Sequence, residues 1–219
     1  MILYLFLDTD DRRFFSEEAR SAIREACGAA EPEIRALLPR LAPTLEVAVQ
    51  TGTFVIPETV EVGAAVAPAR VTWTVDPTRP GGVAAIARSR LRLTLFHECH
   101  HLVRFAHLRK RDTRPTLMDR VVSEGLATAF ERDLGGWRPP WGEYPEDVLA
   151  WAKELLKLPA SEPPDPWMFQ HPDGRRWVGY RAGTYIADRA IAESGRSAAE
   201  LVLTPTDEIL RIARVDDSA

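Results

Sequence analysis

LRLTLFHECHHLVRF, residues 91–105, is the stretch on which the fold turns. It holds the pattern HExxH as His97-Glu98-Cys99-His100-His101, framed by leucine, valine and phenylalanine on both sides. No Gly or Pro occurs between Val83 and Arg111, so the spacing predicts one long helix whose middle, Leu91 to Ala106, is buried. Residues four apart on a helix share a face, about one turn apart. His97 and His101 can therefore aim ring nitrogens at one metal ion. Glu98 falls beside them, near the metal and outside its shell, where a carboxylate can take a proton from a water. An HExxH also arises on solvated helices with two ordinary histidines. The apolar flanks argue against that here, because two imidazoles and a carboxylate set into an apolar helix need partners, and a metal supplies them.

A hydrolytic zinc site commonly has three protein ligands and one open position. Two residues compete for the third place. Glu124, in Ser123-Glu124-Gly125-Leu126-Ala127, sits on the next predicted helix, from Thr116 to Leu134 before Gly135-Gly136. His107 has the spacing of the longer pattern HExxHxxGxxH, with Arg104 where the glycine belongs. That pattern needs a helix break after His101, and a left-handed backbone costs a non-glycine residue roughly 1–2 kcal/mol. If the helix continues instead, His107 lies about 9 Å further along the axis than His101. Glu124 follows a reversal at Pro115, and Gly125 leaves room for close helix packing. These points favour Glu124.

Working outward, MILYLFL at residues 1–7 reads as a buried N-terminal strand. It is too short, and too quickly followed by Asp8, for a signal peptide or a membrane span. Leu45–Thr51 and Val71–Val75 alternate as strands do, and Val60–Ala67 is strand or loop. Helices are expected from the Ser16 N-cap to Ala29, then from Glu31 to Leu38, Glu146 to Leu158 and Thr206 to Val215. Trp177 to Glu193 reads as helix or strand–helix, after a proline-rich loop from Pro159 to Arg176. The class is α+β: a small sheet over the His97–His101 helix and a mainly helical C-terminal half. Residues 1–44 form a leading segment of unassigned role, and 45–219 the metallohydrolase domain.

The net charge of −4 gives no argument for nucleic acid or membrane as a partner, and a cytoplasmic protein is expected. Cys27 and Cys99 are expected reduced. Cys99 lies about 200° around the helix from His97, facing away from the metal. The cations Arg104, Arg109, Lys110, Arg111 and Arg114 read as a solvated helix end. Trp167, Met168 and Phe169 either line a pocket or anchor their loop.

His97–His101 with a downstream Glu-Gly-Leu-Ala is similar to the gluzincin metallopeptidases. The chain more closely resembles a bacterial family of predicted zinc-dependent proteases. The resemblance rests on the extra His100 inside HExxH, on Ser123–Ala127, on Trp167 with Phe169, and on Gly179-Tyr180-Arg181-Ala182-Gly183. It implies a zincin-like fold, Zn2+ on His97, His101 and Glu124, Glu98 as general base, and a peptide or protein substrate. It also implies that Val71–Val75 lies near the sheet edge that pairs with an extended peptide. Such enzymes often take an oxyanion donor from a later segment, for which Tyr180 comes first, with Tyr185, His171 and Arg181 behind it. A zinc hydrolase of a non-peptide amide or ester, and a metal-stabilised binding protein without turnover, are the competing functions. A structural site fills all four positions with protein ligands and needs no Glu98.

One metal site predicts about one zinc per chain. Elemental analysis of protein purified without chelators checks this, and a chain that neither carries nor takes up a divalent metal contradicts it.

Overall fold

The computed structural model describes residues 1–6, 11–67, 69–109 and 115–215. Its elements fall into two compact units, Met1–Val103 and Arg104–Ala219.

The first unit opens on β1 (Ile2–Phe6), then α1 (Asp11–Phe14) and α2 (Glu17–Leu37). Ser16 caps α2 by accepting from the Ala19 amide at 3.2 Å. Two helices are expected here, divided near Pro32; the structure has one. Ala19, Ile23, Ala26, Cys27, Ala30 and Ile34 form an unbroken buried stripe along it, whereas Pro32 is exposed. Burial of that stripe outweighs the hydrogen bond the proline removes.

Next come β2 (Leu45–Thr51), β3 (Glu61–Ala67) and β4 (Arg70–Val75). The sheet order is β1-β2-β4-β3. β1, β2 and β4 run parallel, and β3 is antiparallel to β4. The ambiguous Val60–Ala67 segment is thus a strand. The strand Val71–Val75, expected near a sheet edge, lies next to one: β4 is between β2 and the edge strand β3. Along β4 the alternate residues Val71, Trp73 and Val75 are fully buried, as a period of two requires.

After Gly81 and Gly82, both at positive φ, the chain enters α3 (Gly82–Ile86), a π-helical turn (Ala87–Leu91) and α4 (Arg92–Arg109). The long glycine-free stretch is therefore helix throughout its described part, Val83 to Arg109, with one wider turn. π-Turns inside helices are rare and are found mostly beside functional residues. Every residue from Leu93 to Arg104 is buried, so the apolar frame of the HExxH pattern does lie in the core.

The second unit holds α5 (Leu117–Gly135), α6 (Val148–Leu156), α7 (Asp165–Met168), α8 (Val178–Ser194), α9 (Ala198–Leu201) and α10 (Thr206–Ala213). α5 starts at a reciprocal cap, in which Thr116 and Asp119 each accept the other's amide, and stops at Gly136 with φ of 66°. α8 is helix from its first turn and packs along α5. A β-carbon at Gly125 would strike the Gly183 carbonyl, and one at Gly183 would strike the Val121 carbonyl. The two backbones approach this closely only because both positions are glycine. In the proline-rich loop, Trp167 and Met168 are buried and serve as its anchor, while Phe169 is 54% exposed.

Arg104 overturns the reading of a solvated helix end: it is 0% exposed. Its Nε donates to Ser123 Oγ at 2.9 Å, Nη1 to the Val202 and Thr204 carbonyls at 3.2 and 2.8 Å, and Nη2 to Thr206 Oγ1 at 3.2 Å. Thr206 Oγ1 in turn donates to Asp119 at 2.6 Å. A buried guanidinium is tolerable when its donors are used this fully. Lys110, Arg111 and Arg114, and the side chain of Arg109, lie outside the described residues.

Gly125→Ala forces a side chain into the α5–α8 backbone contact. The expected loss is about 1–3 kcal/mol or more, the range for overpacking. Urea unfolding measures it, and an unchanged midpoint contradicts the contact.

Candidate metal centre

The centre is built first by α4. His97, Glu98 and His101 are 8%, 7% and 4% exposed. The Nε2 atoms of His97 and His101 stand 3.0 Å apart, with ring centroids at 4.7 Å and planes at 75°. The helical spacing of four puts both rings on one face, and the burial of that face holds them there. Two imidazole nitrogens converging in this way could both bind one metal ion, for which Zn–N bonds are about 2.0–2.1 Å.

Glu98 is the next residue along α4 after His97. Its side chain lies over β3, where its Cγ and Oε1 occupy the space a side chain at Gly63 would need. Thr94, one turn earlier, joins the same contact and donates from Oγ1 to Glu61 Oε2 at 2.9 Å. Neither Gly63 nor Glu61 was singled out from the sequence. A signal existed at Gly63, since a glycine inside a strand often marks a close approach by another element.

Glu124 is on α5, half-buried between buried Ser123 and Gly125. His97, His101 and Glu124 form a group whose ligand atoms all lie within 4.8 Å of one another. Two neutral nitrogens and a carboxylate oxygen are a donor set that zinc accepts, so the residues present fit the metal. The rival ligand depends on a break in the helix at Arg104. α4 runs unbroken through that residue to Arg109; the side chain of His107 lies outside the described residues.

Cys99 is fully buried and reduced. Burial, reinforced by the Glu98 carboxylate, raises its thiol far above the ordinary range. Cys27, also buried, is pushed up to about 12, first by burial and then by Glu31. His100 is completely buried.

Tyr180 is half-buried in the first turn of α8, its ring edge-on to Trp177 at 5.5 Å between centroids. The other donor candidates have visible structural engagements. His171 Nδ1 is 2.8 Å from Asp173 and its ring lies 4.2 Å from Trp167. Tyr185 packs edge-on against Tyr144, and Arg181 donates to the Pro140 carbonyl at 3.3 Å.

Among the described residues no helix is long and apolar enough to cross a membrane. A family model described as predicted Zn-dependent protease (DUF2268) matches residues 72–211, more than half of the chain. No curated protein and no solved structure matches it.

Glu124→Ala is expected to weaken zinc binding by tenfold or more, whereas His107→Ala leaves it within about twofold. Competition with a chromogenic chelator measures both. The reverse pattern would place the third ligand on α4.

Proposed function

Since the chain belongs to this family of predicted Zn-dependent proteases, we propose that it hydrolyses peptide bonds in a zincin-like site of the gluzincin type, with His97, His101 and Glu124 holding zinc. The observation that carries the reading is the convergence of the His97 and His101 Nε2 atoms to 3.0 Å inside a buried helix. When bound, zinc supplies a Lewis acid and a water acidified to a pKa of roughly 7.

The chain's own residues do the rest. Glu98 lies next to His97 in sequence but belongs to no ligand group found among the described residues. In this reading its carboxylate takes the proton of the attacking water and passes it to the departing amine. Tyr180 is the hydroxyl donor to the oxyanion that develops on the scissile carbonyl.

The edge strand β3 favours a peptide over a small amide or ester. It is the antiparallel edge of the sheet, and Glu98 packs against its third residue. An edge strand offers backbone donors and acceptors that an extended peptide can pair with. Mechanism and substrate together describe a peptide or protein substrate, and a cytoplasmic site of action completes the proposal.

The test is a mixed peptide library incubated with the purified protein, with and without a chelator. Cleavage that the chelator abolishes and zinc restores is expected. In Glu98→Gln the metal stays and hydrolysis falls by about 10²–10⁴-fold, the usual worth of a general base; an active variant would mean that the water is activated elsewhere.

Tyr180→Phe folds and binds zinc, but its kcat drops by roughly 10²-fold, as for loss of an oxyanion donor. Unchanged turnover leaves Tyr180 with its packing against Trp177 alone.

A further inference from the structure

β3 begins Glu61-Val62-Gly63, and residues two apart on a strand share a face. On that face Glu61 is 3% exposed. Its Oε2 accepts from the Trp73 indole N–H of β4 and from the Thr94 hydroxyl of α4, each at 2.9 Å. One carboxylate oxygen thus fastens the start of the edge strand both to the next strand and to the helix that carries Glu98.

Two residues further on, Gly63 pairs with Trp73. Its backbone is not among the glycines at positive φ, so no conformational need explains a glycine here. A glycine in a strand interior costs stability, and space is what it supplies. A β-carbon at Gly63 would lie 2.7 Å from Glu98 Cγ and 2.8 Å from Glu98 Oε1, and would strike Thr94 Cγ2. The stem of Glu98 therefore rests directly on the Gly63 backbone.

We propose that Gly63 is a positioning residue for Glu98, its bare backbone forming the seat that fixes the carboxylate, with the Glu61–Thr94 hydrogen bond clamping that seat to α4. The inference rests on the reading of Glu98 as general base. A base works within about 2.6–3.2 Å of the proton it takes, and a misplacement of about 1 Å can cost roughly 10²-fold in rate. The three atoms nearest such a β-carbon belong to Thr94 and Glu98, so the proposed seat acts first on the base rather than on His97 and His101.

The experiment compares wild type, Gly63→Ala, Gly63→Ala with Thr94→Ser, and Thr94→Val. Zinc affinity is read by chelator competition, kcat and KM by peptide hydrolysis, and the Glu98 side chain by carbon-13 NMR of the zinc-loaded protein. Gly63→Ala is expected to keep zinc affinity and KM within about threefold, to lose about 10–10²-fold in kcat and to shift the Glu98 side-chain resonances. Thr94→Ser removes the methyl that the new β-carbon strikes and keeps the hydroxyl for Glu61, so the double variant recovers at least threefold in kcat. Thr94→Val adds no bulk but breaks the clamp, and lowers kcat by severalfold at unchanged KM; it carries the test should Gly63→Ala fail to fold. Unchanged kcat and unchanged Glu98 resonances, or a loss that follows zinc affinity and is not recovered in the double variant, overturn the proposal. Should wild type hydrolyse no peptide, the functional reading fails, while the Glu98 resonances still decide whether Gly63 seats this side chain.

Discussion

A helix buried on all sides must find a partner for every polar group it carries into the core, and α4 carries many. From Leu93 to Arg104 nothing on it is exposed beyond 9%, yet that span includes Thr94, His97, Glu98, His100, His101 and Arg104. Leaving one such group unsatisfied costs about 1–3 kcal/mol, and more where it is charged. Much of the surrounding structure answers that demand. Glu61 receives the Thr94 hydroxyl, and the Val202 and Thr204 carbonyls receive Arg104. His97 and His101 turn their Nε2 atoms toward each other, an arrangement a metal ion completes.

Bare glycine backbone is the second requirement. At Gly63 it gives Glu98 room against the edge strand; at Gly125 and Gly183 it lets α5 and α8 touch backbone to backbone. The position of Glu124 follows from that contact, since the residue stands next to Gly125. Its other neighbour, Ser123, receives the Arg104 guanidinium. A side chain flanked on one side by a helix contact and on the other by a hydrogen bond to a buried cation has little freedom to slide along its axis. The same Arg104 stands where the rival zinc pattern requires glycine, and its placement inside an intact helix removes the break that pattern depends on.

The parts that were legible in the sequence are those in which one local signal dominates. The HExxH helix announced itself by period and by the absence of Gly and Pro, and α5 by Thr116 at its start and Gly135-Gly136 at its end. β2 and β4 alternated, and their burial follows that alternation. What escaped depends on contacts between distant segments. Pro32 stays inside α2 because a stripe of packing residues runs past it. β3 became the edge strand because its alanine- and valine-rich run found β4. The run of cations after His101 suggests a solvated helix end, but Leu102, Val103 and Phe105 surround Arg104 with apolar residues and it is buried. The His97–His101 pair could be named from spacing; the contact of Glu98 with Gly63 could not, because nothing local ties residue 63 to residue 98.

The central claim is that His97, His101 and Glu124 hold one zinc ion and leave a position open. X-ray absorption at the zinc edge of the loaded protein reads that shell directly. The account predicts two imidazole nitrogens and further light oxygen ligands at about 2.0–2.2 Å, with one imidazole contribution lost in His97→Ala and none lost in His107→Ala. A sulfur scatterer near 2.3 Å, or a third imidazole that disappears with His107, would contradict it.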